Sequence, residues 1–133
     1  SKPGGFLVEG ADAVIRICDL AGAMKVGETM VAAYEKLHKA YVAVEGTPSE
    51  DYKRIPRQLR LIERHLSLAW PIFNTADTYA LGIFLADGLG TALAEIEWLA
   101  LLVGATAQEF EQAIEIKQCY NCSRSYRHGA LRA

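Results

Sequence analysis

Three cysteines in 133 residues are too few, and odd in number, for a disulfide framework. That count points to a reducing compartment, so a cytoplasmic location is expected. Four prolines and 11 glycines leave no low-complexity linker. With 51% hydrophobic and 23% charged residues, the chain is neither disordered nor collagenous. Neither sign of charge dominates: 14 Lys+Arg stand against 16 Asp+Glu, a net charge of -2. This excludes the broad basic footprint of a nucleic-acid or anionic-membrane binder. The local run Lys53, Arg54, Arg57, Arg60 and Arg64 is diluted by Glu50, Asp51 and Glu63, and reads as a solvated face. An uncharged apolar run of about 20 residues, as a membrane span requires, is also missing. The most apolar stretch, 79–103, is interrupted by Asp87, Glu95 and Glu97. A secretory leader is not expected, and Ser1 in place of Met suggests a trimmed N-terminus.

What is present is helical periodicity. The pattern predicts helices over 6–25, 28–45, 56–69, 73–87, 90–103 and 106–124, with a polar loop, GTPSEDYKR, at 46–54. Gly88 and Gly90 read as a tight turn between the fourth and fifth. Thr106 is a candidate N-cap, with Glu109 three residues later as its capping-box partner. Period-two alternation and hairpin dipeptides are lacking. The fold class is therefore all-α, a compact bundle of about five to six helices in a single domain over 1–133. Residues 5–41 and 88–121 each show a glycine-rich entry, an apolar helix and a helix with a late lysine. They suggest a divergent tandem of helical hairpins, 5–45 and 88–129.

Two helices carry candidate chemistry. At 100° per residue, Glu9, Asp12, Arg16 and Asp19 fall within about 80° of one another. The i, i+3 spacing of Glu9 and Asp12 lets both carboxylates reach one hard cation, Mg²⁺ for example. The same pattern is also that of an amphipathic helix's solvated face, with Arg16 pairing its acids. On the last helix, Phe110, Ala113 and Ile114 define an inward arc that Lys117, Asn121 and Arg124 continue. Burying such groups requires an anion, a carboxylate or water, and Lys and Arg are the usual phosphate binders. Tyr126, Arg127 and His128 follow and could close over the same ligand. The alternative is a helix end emerging into solvent, with cations favoured at its C-terminus.

Other motifs carry less. Cys119-Tyr-Asn-Cys122 lies on a helix without a preceding strand, so it fails the context of a redox motif. As a zinc site with His128 it lacks a fourth ligand. Cys18 reads as a small core residue, His38 and His65 as surface or capping groups, and Trp70 and Trp98 as core or interface anchors.

Taken together, Lys2-Pro3-x-Gly5 with Glu9-x-x-Asp12-x-Val14-Ile15-Arg16-Ile17-x-Asp19 resembles the third-helix motif of the MazG-like all-α nucleotide pyrophosphohydrolases. Lys117-x-x-Tyr120-Asn121-x-x-Arg124-x-Tyr126-Arg127-His128-Gly129 resembles the C-terminal signature of the same family. The resemblance implies cleavage of nucleoside triphosphates to monophosphate and pyrophosphate, with Mg²⁺ held by acidic residues, in dimeric or larger assemblies. Position by position, it implies metal ligands at Glu9 and Asp12. It implies phosphate-side residues at Lys117, Asn121 and Arg124, followed by Tyr126, Arg127 and His128. The chain departs from the pattern in its two motifs being far apart in sequence. It also lacks a Glu-Glu-x-x-Glu motif before Glu9. The echo of that motif at 59–69 has His65 and Leu68 where acids belong, and a second carboxylate helix near Thr91–Ala94 has none.

Two functions follow as expectations. One is a Mg²⁺-dependent nucleotide pyrophosphohydrolase-like protein. The other is a catalytically inactive relative, a helical binding module that keeps an anion or nucleotide pocket. The apolar helices around 73–103 have more surface than a small bundle hides. A two-fold homodimer is therefore expected, in which one chain's carboxylates meet the other chain's Lys117 and Arg124.

Overall fold

A computed structural model describes residues 4–45, 52–69 and 78–123. Among these residues are five α-helices: α1 (Gly4–Ala23), α2 (Gly27–Glu45), α3 (Ile55–Ala69), α4 (Thr78–Leu102) and α5 (Ala107–Ser123). A short 3-10 turn, Tyr52–Arg54, leads into α3. No strand occurs among the described residues, and the all-α bundle expected from periodicity is what forms. Helix boundaries fall within two residues of expectation, with one exception. The expected loop lies partly outside the described residues: 46–51 are not described, and 52–54 form the turn.

The exception is α4. Sequence reasoning places a glycine turn at 88–90, but Thr78–Leu102 is one continuous helix of 25 residues. The 73–77 part of the expected fourth helix lies outside the described residues. Gly90 is needed for closeness, not for turning. A Cβ built there would meet the Met30 carbonyl oxygen, and would lie 2.8 Å from Ala33 Cβ and 2.9 Å from Tyr34 N. The backbones of α4 and α2 therefore touch at this point, a contact only glycine allows. At Gly88 the nearest atom, the His65 carbonyl oxygen, would be 3.7 Å from an added Cβ.

Helix α4 forms the centre of the bundle. It is apolar on nearly every side and mostly buried from Leu85 onward, with Asp87 exposed. Leu85, Ala86, Leu89, Ala92, Leu93, Ile96 and Ala100 lie in the core with Ile17, Ala21, Met30 and Phe110. Helices α2 and α3 pack along α4, α1 touches it, and α5 packs along α1. No single helix among the described residues is long and apolar enough to cross a membrane.

The two helix-to-helix turns are built alike. After α1, the N–H groups of Met24, Lys25 and Val26 donate to the carbonyls of Leu20, Gly22 and Ala21 at 3.0, 3.1 and 2.9 Å. After α4, Val103, Gly104 and Ala105 donate to Leu99, Leu101 and Ala100 at 3.0, 3.1 and 3.0 Å. This is the Schellman pattern, which needs a left-handed residue just past the helix. Gly104 supplies it with φ 98°, and Lys25 supplies it with φ 58°. Thr106 then caps α5 as expected. Its N–H donates to Glu109 Oε1 at 2.9 Å, and the Glu109 N–H donates to Thr106 Oγ1 at 3.1 Å.

Candidate functional site

The carboxylate face of α1 points away from the core. Glu9 and Asp19 are exposed, while Ala11 and Ile15 are buried. Arg16 Nε lies 2.7 Å from Asp12 Oδ2, an i, i+4 pair whose guanidinium side is 71% exposed. Hydrogen bonding to Asp12, and its charge, raise the Arg16 pKa. A pair this exposed contributes little stability. It does hold Asp12 in place beside Glu9. Among the described residues, no three His, Cys, Asp or Glu side chains converge on a point where a metal ion could sit.

Helix α5 presents the expected stripe. Phe110 is buried at 4% exposure, Ile114 is packed against the core, and Lys117 and Asn121 remain half-buried as the stripe continues. Lys117 Nζ sits 5.4 Å from the centre of the Tyr120 ring, a cation–π contact along one helix face. Arg124, Tyr126, Arg127 and His128 lie outside the described residues.

The two motifs, distant in sequence, lie on helices that pack together. Gly10 of α1 sits against Phe110, whose Cε1 would be 3.2 Å from a Cβ at that position. Helices α1 and α5 pack along one another within one chain, so uniting these two helices needs no second copy. No hydrogen bond or ion pair joins Glu9 or Asp12 to Lys117 or Asn121 among the described residues.

A second polar constellation surrounds α4. Glu97 accepts two hydrogen bonds from α2: Tyr34 Oη donates to Oε2 at 2.7 Å, and His38 Nδ1 lies 2.8 Å from Oε1. The two rings stack, 5.6 Å between centroids. Burial, then the hydrogen bond to Glu97, push the Tyr34 hydroxyl well above the ordinary tyrosine range. The His38 ring that makes this contact stays half-exposed.

On the α3 side, Glu95 is 2% exposed. His65 Nδ1 lies 2.6 Å from Glu95 Oε1 and 2.9 Å from the Leu61 carbonyl oxygen. A carbonyl only accepts, so Nδ1 carries a proton and directs it to Leu61. The same ring nitrogen is the close polar neighbour of Glu95 Oε1. Burial raises the Glu95 pKa, and His65 opposes that shift. Gln58 Nε2 donates to the Glu95 backbone carbonyl at 2.9 Å and to Tyr41 Oη at 3.3 Å. Tyr41 stacks on Trp98 at 4.7 Å and 8° between planes. The Trp98 Nε1–H, buried, has no acceptor among the described residues.

This constellation fastens α2 and α3 to α4. Sequence reasoning places His38 and His65 at the surface or at caps; His38 is exposed and His65 half-buried, and each also lies against an acid of the central helix. The missed signal is Glu95 and Glu97 within the most apolar stretch. Acids in such surroundings require partners, and Tyr34, His38 and His65 on the flanking helices provide them. Cys119 and Cys122 are both exposed on α5, and Cys18 is exposed on α1 rather than in the core. Burial of part of its surface raises the Cys18 thiol pKa. Comparison of the chain with protein-family models, with characterised proteins and with solved structures returns no match.

Proposed function

We propose that the chain is a Mg²⁺-dependent nucleotide pyrophosphohydrolase-like protein that takes its ligand along the α1/α5 face. The observation that supports this reading is the inward stripe of α5. It changes from Phe110 and Ile114 to Lys117 and Asn121 while still half-buried, on a helix packed against the one bearing Glu9 and Asp12. A half-buried ammonium and amide in line with a core stripe suit a phosphate-bearing ligand. Mg²⁺ needs only one or two protein carboxylates when substrate phosphates and water fill its remaining positions. Glu9 and Asp12 would hold it. There it would neutralise phosphate charge and acidify a bound water. Lys117 would carry charge developing on the phosphates.

A second reading rests on a different observation. The described residues offer no third carboxylate near Glu9 and Asp12, and Arg16 already occupies Asp12. This favours a non-catalytic helical module that keeps the anion pocket. A nucleoside triphosphate panel with Mg²⁺ or Mn²⁺ separates the two. Pyrophosphate release that disappears in Asp12→Asn supports hydrolysis. Nucleotide-dependent thermal stabilisation without turnover supports the module. Neither turnover nor stabilisation rejects both.

A further inference from the structure

We infer that α3 is a docked arm that leaves α4 as a unit, and that the contact of His65 with buried Glu95 sets how readily it does so. This conformational step is independent of the nucleotide reading.

The first observation is which residues α3 buries. Against α4 it buries Gln58, at 4% exposure, and half-buries His65, while Leu59 and Leu66 stand 50% and 39% exposed. Among its described residues, Ile62 alone packs against the hydrophobic core. A helix held by apolar burial shows the opposite arrangement. On leaving, the polar groups of α3 regain water, and its exposed leucines are already partly in water.

The second observation is the attachment. Helix α3 packs along α4 and against the turn Tyr52–Arg54 that precedes it. It meets α2 where Gln58 Nε2 donates to Tyr41 Oη at 3.3 Å, but no comparable packing joins it to α1, α2 or α5 among the described residues. An element with one long neighbour can open while the rest of the bundle stays folded.

The third observation is that the docked contact serves its buried polar groups poorly. Glu95 is 2% exposed, and the ring nitrogen 2.6 Å from its Oε1 is shared with the Leu61 carbonyl at 2.9 Å. Trp98 is 4% exposed, and its Nε1–H has no acceptor among the described residues. Trp98 stacks on Tyr41, the residue that Gln58 reaches, so both groups lie where α3, α4 and α2 meet. Opening gives each of them water.

The direction of the pH response follows. Burial raises the Glu95 pKa, and the opposing charge from α3 is that of His65. The facing group of α2 is Tyr41, whose hydroxyl is raised by burial and also feels Arg54 and Arg57. Glu97, two residues along α4, turns to Tyr34 and His38 instead. Undocking restores water to Glu95 and takes His65 away. Docked Glu95 therefore keeps a proton that the undocked form sheds. Docking is firmest below the ordinary carboxylate pKa and weakens as pH rises through the raised docked value.

Native-state hydrogen exchange of the whole chain tests this, each amide rate being divided by its unstructured rate at the same pH. The α3 amides should exchange through an opening that leaves α2 and α4 protected. Its equilibrium constant should grow with pH, by at most about tenfold per unit. In Glu95→Gln, which has no proton to shed, that growth should vanish. In His65→Gln no charge opposes the shift, so the growth should exceed that of the parent. Exchange of α3 only together with α4 overturns the inference. So does an opening that ignores pH in the parent, or one that keeps its pH dependence in Glu95→Gln. Should Glu95→Gln fail to fold, His65→Gln decides, and growth no larger than the parent's overturns the role of the pair.

Discussion

Two glycines, two residues apart on one helix, should respond to alanine with opposite signs. At Gly90 the added Cβ would run into the Met30 carbonyl oxygen and sit 2.8 Å from Ala33 Cβ and 2.9 Å from Tyr34 N. Two of those three atoms are backbone, so no side-chain rotation relieves the contact, and α2 must move off α4. Overpacking of this kind costs about 1–3 kcal/mol, and the rigidity of both walls places this case at the upper end. Alanine recovers up to about 1 kcal/mol of helix propensity. Gly90→Ala should therefore lose about 2 kcal/mol, or about 6–10 °C in melting temperature for a chain of this size. At Gly88 the nearest atom would be 3.7 Å away, an ordinary contact. Gly88→Ala should keep the propensity gain and melt about 3–5 °C higher. Urea unfolding followed by circular dichroism measures both, with an unchanged m value showing that the denatured state is unaltered. A Gly90→Ala variant as stable as the parent would refute the close approach of α2 and α4. Equal destabilisation by both changes would restore the glycine turn.

Three further outcomes follow from other contacts. Thr106→Ala removes one half of the capping box and should cost about 1 kcal/mol in the same unfolding assay, while Gln108→Ala beside it should cost almost nothing. Burial holds the Glu95 carboxyl above the ordinary range, so the folded state retains a proton the unfolded chain has shed. Its stabilising share is complete below the ordinary carboxylate pKa and is lost as pH rises through the raised folded value. The stability of Glu95→Gln relative to the parent should climb across that window, by at most about 1.4 kcal/mol per pH unit. A flat difference would show that Glu95 is not buried as described. The homodimer expected from the apolar helices should sediment at micromolar concentration with about twice the 14.6 kDa chain mass. A species at the chain mass itself would remove it.

Most of the fold was legible because it depends on local rules. The capping box at Thr106 and Glu109 needs only two residue types three positions apart, and it forms as read. Gly88 and Gly90 were misread because Gly-x-Gly looks the same whether the chain turns or another helix comes close. Only the position of α2 distinguishes the cases, and that is not local. The candidate site divides along the same line. Spacing shows which residues of α1 share a face and which residues of α5 share a stripe. It does not show that α1 lies along α5, so the two motifs invited a second chain to unite them. The acids that His38 and His65 meet were missed for the same reason, since they lie on a helix far along the sequence.

The central place of α4 has a consequence for synthesis. A ribosome makes α1, α2 and α3 before α4, yet α2 and α3 both pack along α4. Until that helix emerges, the nascent chain holds amphipathic segments whose apolar faces have nothing to cover them. Met30 and Ile17, core residues in the finished protein, stay accessible to chaperones for that interval. Burial must therefore wait for the C-terminal half of the chain rather than proceed from the N-terminus inward as each helix is made. A pause in translation before α4 would prolong that exposure, whereas a pause after Leu102 would come when the central helix is already made.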